Sequence, residues 1–308
     1  MTRLLGSLPL ALDQAGAYIL ETKCGFAEYG ALFQTHRDHL LQRRIGERIP
    51  TDHPDSVTTT FRLNFEQVRQ CDAAAADLLR LCAYLAPDAI AEEILTEGAS
   101  FLGPTLSPVA ADAFLLNQAI EEVRAFSLLR RDPKEKMLSL HRLVQAVLQD
   151  EMEEAEKQHR TKRLVCAINA VFPHVRHDEH HVWPQCERLL PHALLIGQSI
   201  ERYQITDEQA GRLSFEVASY LRDRGRYAEA IRWYQQALWI REQQLGPGHA
   251  DIAHPLNNLA NLYQELGRYE DAEPLYQRAL HICEQQLGPG HADVAHPLNN
   301  LVPPGRNS

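Results

Sequence analysis

The sequence predicts a mainly α-helical protein: a helical bundle, a winged-helix domain with one β-hairpin, and then an α-solenoid of stacked helix pairs. Three observations predict it. Residues 246–259, GPGHADIAHPLNNL, return 42 residues later at 288–301 as GPGHADVAHPLNNL, with only Ile252 and Val294 differing. A fixed period of that size belongs to helical arrays, in which each unit buries its apolar face on its neighbours. Two short apolar runs flank a polar turn at Asp132-Pro133, the pattern of a hairpin. Elsewhere apolar residues recur at three- and four-residue spacing, which is helical.

Taken in order, residues 8–45 read as helical, with Leu12, Ala15 and Ile19 and then Tyr29, Leu32, Phe33, Leu40 and Leu41 on apolar stripes. Pro50, Pro54 and the polar residues between them break that pattern over 49–56. A second helical block follows, and within it 73–85 is apolar on one face and ends at Pro87. A helix over 117–126 leads into the hairpin runs 127–131 and 137–141, and 143–151 is again helical. A hairpin this small is marginal alone, so it must lean on the helices beside it. Helices are expected over 152–213, with an irregular stretch at 173–184.

From 214 the repeat takes over. Gly225-Arg226-Tyr227 and Gly267-Arg268-Tyr269 occupy matching turns, and Ala230, Tyr234 and Ala237 match Ala272, Tyr276 and Ala279. Small alanines let two helices approach, an aromatic ring fills the gap above them, and glycine permits the tight reversal.

Composition narrows the function. Hydrophobic residues make up 44% and charged residues 23%, enough to fill real cores. A net charge of −10 argues against broad nucleic-acid affinity, which needs a cationic surface. The six cysteines are scattered without a C-x-x-C pair, which fits reduced thiols and a cytoplasmic location. The apolar run at 4–12 is followed by Asp13 where a secretion signal prefers small neutral residues, and no stretch is long enough to cross a membrane.

The spacing of Leu259, Ala260, Tyr263, Gly267, Tyr269, Ala272, Tyr276 and Ala279 resembles the tetratricopeptide repeat, in a form lengthened by eight residues. In the first half, Ser7-Leu8-Pro9-Leu10-Ala11-Leu12 resembles the GLPL motif of NB-ARC signalling ATPases. Leu140-His141-Arg142-Leu143-Val144 stands where that family has its MHD motif, in the winged helix. Together these resemble the C-terminal part of a bacterial NB-ARC tetratricopeptide protein. The resemblance implies a signal-transduction switch whose full-length form uses ADP and ATP, with vestigial ADP contacts at Pro9 and His141.

Three departures qualify it. Ser7 replaces the motif's glycine, Arg142 replaces its aspartate, and no G-x-x-x-x-G-K-[ST] phosphate loop occurs. Without the backbone cradle and lysine, neither an autonomous ATPase nor tight nucleotide binding by this chain is expected. The implied organisation is 1–50 as the end of the GLPL-bearing helical subdomain, 56–150 as the winged helix and 151–213 as a helical linker. Residues 214–301 are repeats, two full and a third broken, and 302–308 a disordered tail.

Asn257, Asn258 and Asn261, with Asn299 and Asn300 repeating the first two, fall on or beside the groove-lining face of the first helix of a repeat. Carboxamides both donate and accept, which suits a peptide backbone. A protein or peptide ligand is therefore expected at Asn257, Asn258, Asn261 and Asn299. Bracing of neighbouring helices is the structural alternative, above all for Asn258 and Asn300. His174, His177, His180 and His181 could ligate zinc, but a proline-bounded loop offers nothing to orient them, and no metal is expected. Val302-Pro303-Pro304-Gly305 stops the third repeat. That reads as a truncated array whose open end is prone to self-association. The leading expectation is a regulatory interaction module, not an enzyme. The alternative is a winged-helix DNA-binding regulator with a repeat sensor.

Overall fold

The computed structural model describes residues 24–31, 57–176 and 180–288, together with Ile19 and Asn300. The motif around Pro9, the break at 49–56, His177, Asn299 and the 302–308 tail lie outside the described residues. Residues 26–31 are helical, within the first stretch expected to be so. The chain divides into two compact units, Met1–Arg160 and Thr161–Ser308.

The first unit begins with helices α1 (Val57–Cys71) and α2 (Ala73–Cys82). Asp72 separates them: its carboxylate accepts from the Ala74 and Ala75 N–H groups at 2.7 and 3.1 Å, satisfying two of the donors a helix start leaves open. After strand β1 (Ile90–Ala91) come the short helix α3 (Glu93–Thr96), a 3₁₀ turn at Ala99–Phe101 and helix α4 (Ser107–Ala110). Helix α5 (Ala113–Ala125) is capped by Asp112 in the same way as α2 is by Asp72. Strands β2 (Leu129–Asp132) and β3 (Met137–Leu140) then lead into α6 (Arg142–Asp150).

The expected hairpin is present. β2 and β3 pair antiparallel with Leu129 opposite Leu140 and Arg131 opposite Leu138. Asp132 sets the turn by accepting from the N–H groups of Lys134 and Glu135 at 2.9 and 3.2 Å. The hairpin is not alone. β1 pairs antiparallel with β3 through Ile90–Leu138 and Ala91–Met137, giving a three-stranded sheet in the order β1-β3-β2. Helices, a strand, three short helical segments, a longer helix and a hairpin returning beside the first strand make the winged-helix arrangement. Leu78, Leu81, Ile90, Ile94, Leu102, Ile120, Val123 and Leu138 are wholly buried within this unit.

Two glutamines seat α6 on the end of α2. Gln145 donates to the Cys82 and Leu85 carbonyls at 3.1 and 2.8 Å, and Gln149 donates to that of Ala83. Spaced four apart, they lie on one face of α6 and satisfy carbonyls that the end of α2 leaves without helical partners. The nearly buried guanidinium of Arg131 binds Glu92 at both ends, Nε to Oε1 at 2.6 Å and Nη2 to Oε2 at 2.7 Å, while Nη1 donates to Asn117 at 2.6 Å. That one side chain ties β2 to the end of β1 and to α5.

Helix α7 (Glu154–Val171) runs across the division between the units. The second unit continues through a 3₁₀ turn (His180–Val182) and helix α8 (Trp183–Arg202). Then come α9 (Glu208–Asp223), α10 (Tyr227–Leu245), α11 (Ala253–Glu265) and α12 (Tyr269–Leu287). The helices pair as α9 with α10 and α11 with α12.

Sequence identity between the pairs becomes identity of geometry at their turns. Gly225 and Gly267 both have φ of +72°, a left-handed conformation natural to glycine. In each turn the next arginine N–H reaches back five residues, Arg226 to Leu221 and Arg268 to Tyr263, both at 2.8 Å. Ala230, Tyr234, Ala237, Ala272, Tyr276 and Ala279 are all buried, as their repeat positions require. Among the described residues, no helix is long and apolar enough to cross a membrane.

Candidate functional site

His141 caps helix α6. Its backbone is extended (φ −61°, ψ 138°), and its Nδ1 accepts from the Leu143 N–H at 3.2 Å. An imidazole accepting at Nδ1 is neutral and carries its proton on Nε2. The ring therefore serves its own helix first. A diphosphate needs several converging donors, and His141 offers one nitrogen at most.

The surface of α5, the helix that in a winged helix faces DNA, is apolar and acidic. Phe114 and Leu115 are 69% and 40% exposed, and Glu121 points outward. Nearby cations are already engaged: Arg124 with Glu121 at 2.5 Å, and Arg131 with Glu92. Arg130 and Arg142 remain exposed on the same unit. This is a poor surface for phosphates.

The asparagines of the array fall into distinct roles, and the 42-residue period exposes them. Asn261 matches Ser219 one repeat earlier. Ser219 lies 3.1 Å from the buried hydroxyl of Tyr234, and Asn261 Oδ1 accepts from the matching Tyr276 hydroxyl at 2.6 Å. Gln264 Oε1 stands 2.7 Å from the same hydroxyl, which has one proton to give. Position 261 thus braces the two helices of its own pair.

Asn258 matches Glu216 and Asn300, and at those two partner positions the side chain reaches an earlier segment of the chain. Glu216 accepts from Val175 N–H at 2.8 Å and meets His174 Nδ1 at 2.7 Å. Asn300 donates to Asn257 and Asn261 at 3.4 and 3.0 Å. Asn258 itself donates to the His254 carbonyl, four residues back, at 3.2 Å. The sequence could not show this division of labour, because the tyrosine and histidine partners sit on other turns of the helices.

Asn257 is the half-buried amide of the first-helix face, and its repeat partner 42 residues earlier is Phe215. The Phe215 ring lies 5.2 Å from His254 and 5.5 Å from Tyr234, with the Arg241 guanidinium 5.9 Å above it. Sequence reasoning passed over Phe215 and His254. The same period that singled out Asn257 points to Phe215 and, at Arg212, to His254.

Burial within the array pushes the Tyr276 hydroxyl up to about 12, and the nearby Glu265 carboxylate adds to the effect. A phenol whose folded value is raised contributes stability that is present below the ordinary tyrosine value of about 10 and is lost as the pH rises towards 12. Denaturant midpoints should therefore fall across that window, and Tyr276→Phe should flatten part of the fall. An unchanged slope in that variant would contradict the assignment.

His174 meets Glu216, while His180 packs edge-on against Trp183 at 4.4 Å. Among the described residues no group of three or more metal-ligating side chains is placed to hold an ion. A cleft of about 310 Å³ between α8 and α10 is lined by Leu194, Gln198, Glu201, Arg232 and Trp233.

These features define a winged-helix unit and an array of paired helices with a polar inner face. Comparison with known proteins agrees on the array. The tetratricopeptide repeat family matches residues 210–285 and 251–302, so the C-terminal array is made of these repeats. A domain of unknown function, DUF7779, matches residues 66–157, which cover most of the winged helix. Over 267 residues the chain is 25% identical to a "nucleotide-binding leucine-rich repeat (NLR)-like protein" of the fungus Hyaloscypha variabilis. The match covers 83% of this chain and a quarter of that relative's length.

Proposed function

We propose that the chain is the regulatory and sensor part of an NB-ARC-type signalling switch, and that it binds a protein or peptide through the first-helix face of its repeats. One observation carries the reading: a distant similarity to an NLR-like protein runs through both the winged helix and the repeats, over 83% of the chain. The role is one of binding rather than catalysis. Nucleotide exchange, with Pro9 and His141 as contacts, belongs to the full-length switch.

On the inner face Asn257, Phe215 and His254 are the proposed ligand contacts. Asn261 and Asn258 hold the frame, through Tyr276 and the His254 carbonyl. Peptides selected from a displayed library against the whole chain should lose affinity about tenfold with Asn257→Ala, the cost of one well-placed contact. Asn258→Ala should leave affinity unchanged. Peptides indifferent to Asn257, Phe215 and His254 alike would sink the assignment. The DNA-regulator alternative makes the opposite forecast, a salt-dependent shift on duplex DNA. The acidic, apolar face of α5 speaks against it.

A further inference from the structure

We infer that the cleft between α8 and α10 binds a small zwitterion, of which a free α-amino acid is the simplest, with Glu201 at its ammonium end and Arg232 at its carboxylate end. Both helices belong to the second compact unit. Because α10 is the second helix of its pair, the site is separate from the first-helix face assigned to a peptide, and neither reading depends on the other.

The walls are set before any ligand arrives. Gly197 of α8 lets the Trp233 ring lie directly against the helix backbone, since a Cβ there would fall 2.3 Å from Cη2. Gln236 donates to the Gly197 carbonyl at 3.0 Å and accepts from the Ser214 hydroxyl at 3.1 Å. Glu229 is also spent: Arg226 grips its two oxygens through Nε and Nη2 at 2.8 Å, and that bond holds its carboxyl below the usual carboxylate range. Leu194 and the indole supply apolar lining. A volume of about 310 Å³ lies at the low end of the range of roughly 300 to 1,000 Å³ for small-molecule sites, which suits a ligand of amino-acid size.

Two charges at this cleft are unspent. Among the described residues, neither the Glu201 carboxylate on α8 nor the Arg232 guanidinium on α10 takes part in a hydrogen bond or ion pair, with each other or with anything else. A lone cation drawn to Glu201 meets the opposing charge of Arg232, and a lone anion drawn to Arg232 meets that of Glu201. A molecule carrying both charges satisfies both side chains. The guanidinium fork matches two carboxylate oxygens, and the Glu201 carboxylate accepts from an ammonium group.

The repeat supplies an independent argument. Ala230, Tyr234 and Ala237 of α10 return in α12 as Ala272, Tyr276 and Ala279, the buried positions that pack each pair. The four α10 residues at the cleft do not return. Glu229, Arg232, Trp233 and Gln236 become Asp271, Pro274, Leu275 and Arg278. At that next junction Arg278 spans the helices, pairing with Glu242 of α10 at 2.6 Å and donating to the Pro247 carbonyl at 3.0 Å. A repeat pair therefore packs without an arginine or an indole at these positions, and their presence in α10 is accounted for by what the cleft holds.

Isothermal titration calorimetry of the whole chain against each of the twenty free L-α-amino acids tests the inference. At least one should bind with a Kd of about 1 mM or tighter. Its N-acetylated and its carboxamide forms should each bind at least about tenfold more weakly, as should the free amino acid to Glu201→Gln and to Arg232→Gln. Both side chains are exposed, so neither substitution disturbs a packed core, and the blocked amino acids probe each charge without any substitution. Asn257→Ala, on the first-helix face, should bind the amino acid as the natural chain does. Absence of binding by all twenty up to about 10 mM overturns the inference. So does binding that survives both substitutions, or that acetate alone reproduces. Any of these results leaves the peptide reading of the inner face untouched.

Discussion

Gly197→Ala destabilises the second unit by about 2 kcal/mol, although alanine is the better helix former by about 1 kcal/mol. A Cβ at that position would lie 2.3 and 2.6 Å from the Trp233 ring atoms Cη2 and Cζ2, far inside van der Waals contact. Trp233 has little room to yield. It is 8% exposed, and its neighbour one turn on, Gln236, is fixed by bonds to the Gly197 carbonyl at 3.0 Å and to the Ser214 hydroxyl at 3.1 Å. The sign of the effect depends on the ring. In the next repeat the position of Trp233 is Leu275. With Trp233→Leu in place the clash is gone, and Gly197→Ala becomes neutral or mildly stabilising. Urea midpoints of the four proteins in this cycle give the answer. A Gly197→Ala chain as stable as the parent would show that the close approach of α8 and α10 is not real.

Arg131→Ala costs the winged-helix unit about 3 kcal/mol, because it leaves a buried carboxylate without its partner. Glu92 is 6% exposed, and both its oxygens are held by the guanidinium. Asn117 loses its bond at the same time. Lysine cannot replace the fork, since a single ammonium cannot meet both oxygens and the amide in those directions. The double substitution Arg131→Leu with Glu92→Leu should recover most of the loss, as apolar replacement of a buried pair is often nearly neutral. A small cost for Arg131→Ala, within about 0.5 kcal/mol as for an ordinary surface position, would mean that the pair is solvated in solution.

The repeats were legible because their signal is local and doubled. Gly225 and Gly267, the alanines of α10 and α12 and the tyrosines between them recur at one interval, and each finds the turn or burial its type demands. The hairpin was legible too, since Asp132 and Pro133 mark a turn by their own chemistry. β1 was not. Two residues, Ile90 and Ala91, show no alternation, and only their pairing with β3 makes them a strand.

The same limit applies at the site. Nothing near Gly197 in the sequence announces an indole 36 residues away, and Asn261 looks like any exposed amide until Tyr276 is beside it. Local periodicity locates an element and the face it presents. Which polar groups on that face are spent on one another is decided by contacts between elements.

A peptide ligand of this chain should land on the first helices of the repeats. Hydrogen exchange of the whole chain, with and without a library-selected peptide, reads that in one experiment. Slower exchange in α9 and α11, around Phe215, His254 and Asn257, is the predicted result. Protection confined to α5 and the hairpin, with the repeats unchanged, would contradict it and move the binding function to the winged helix.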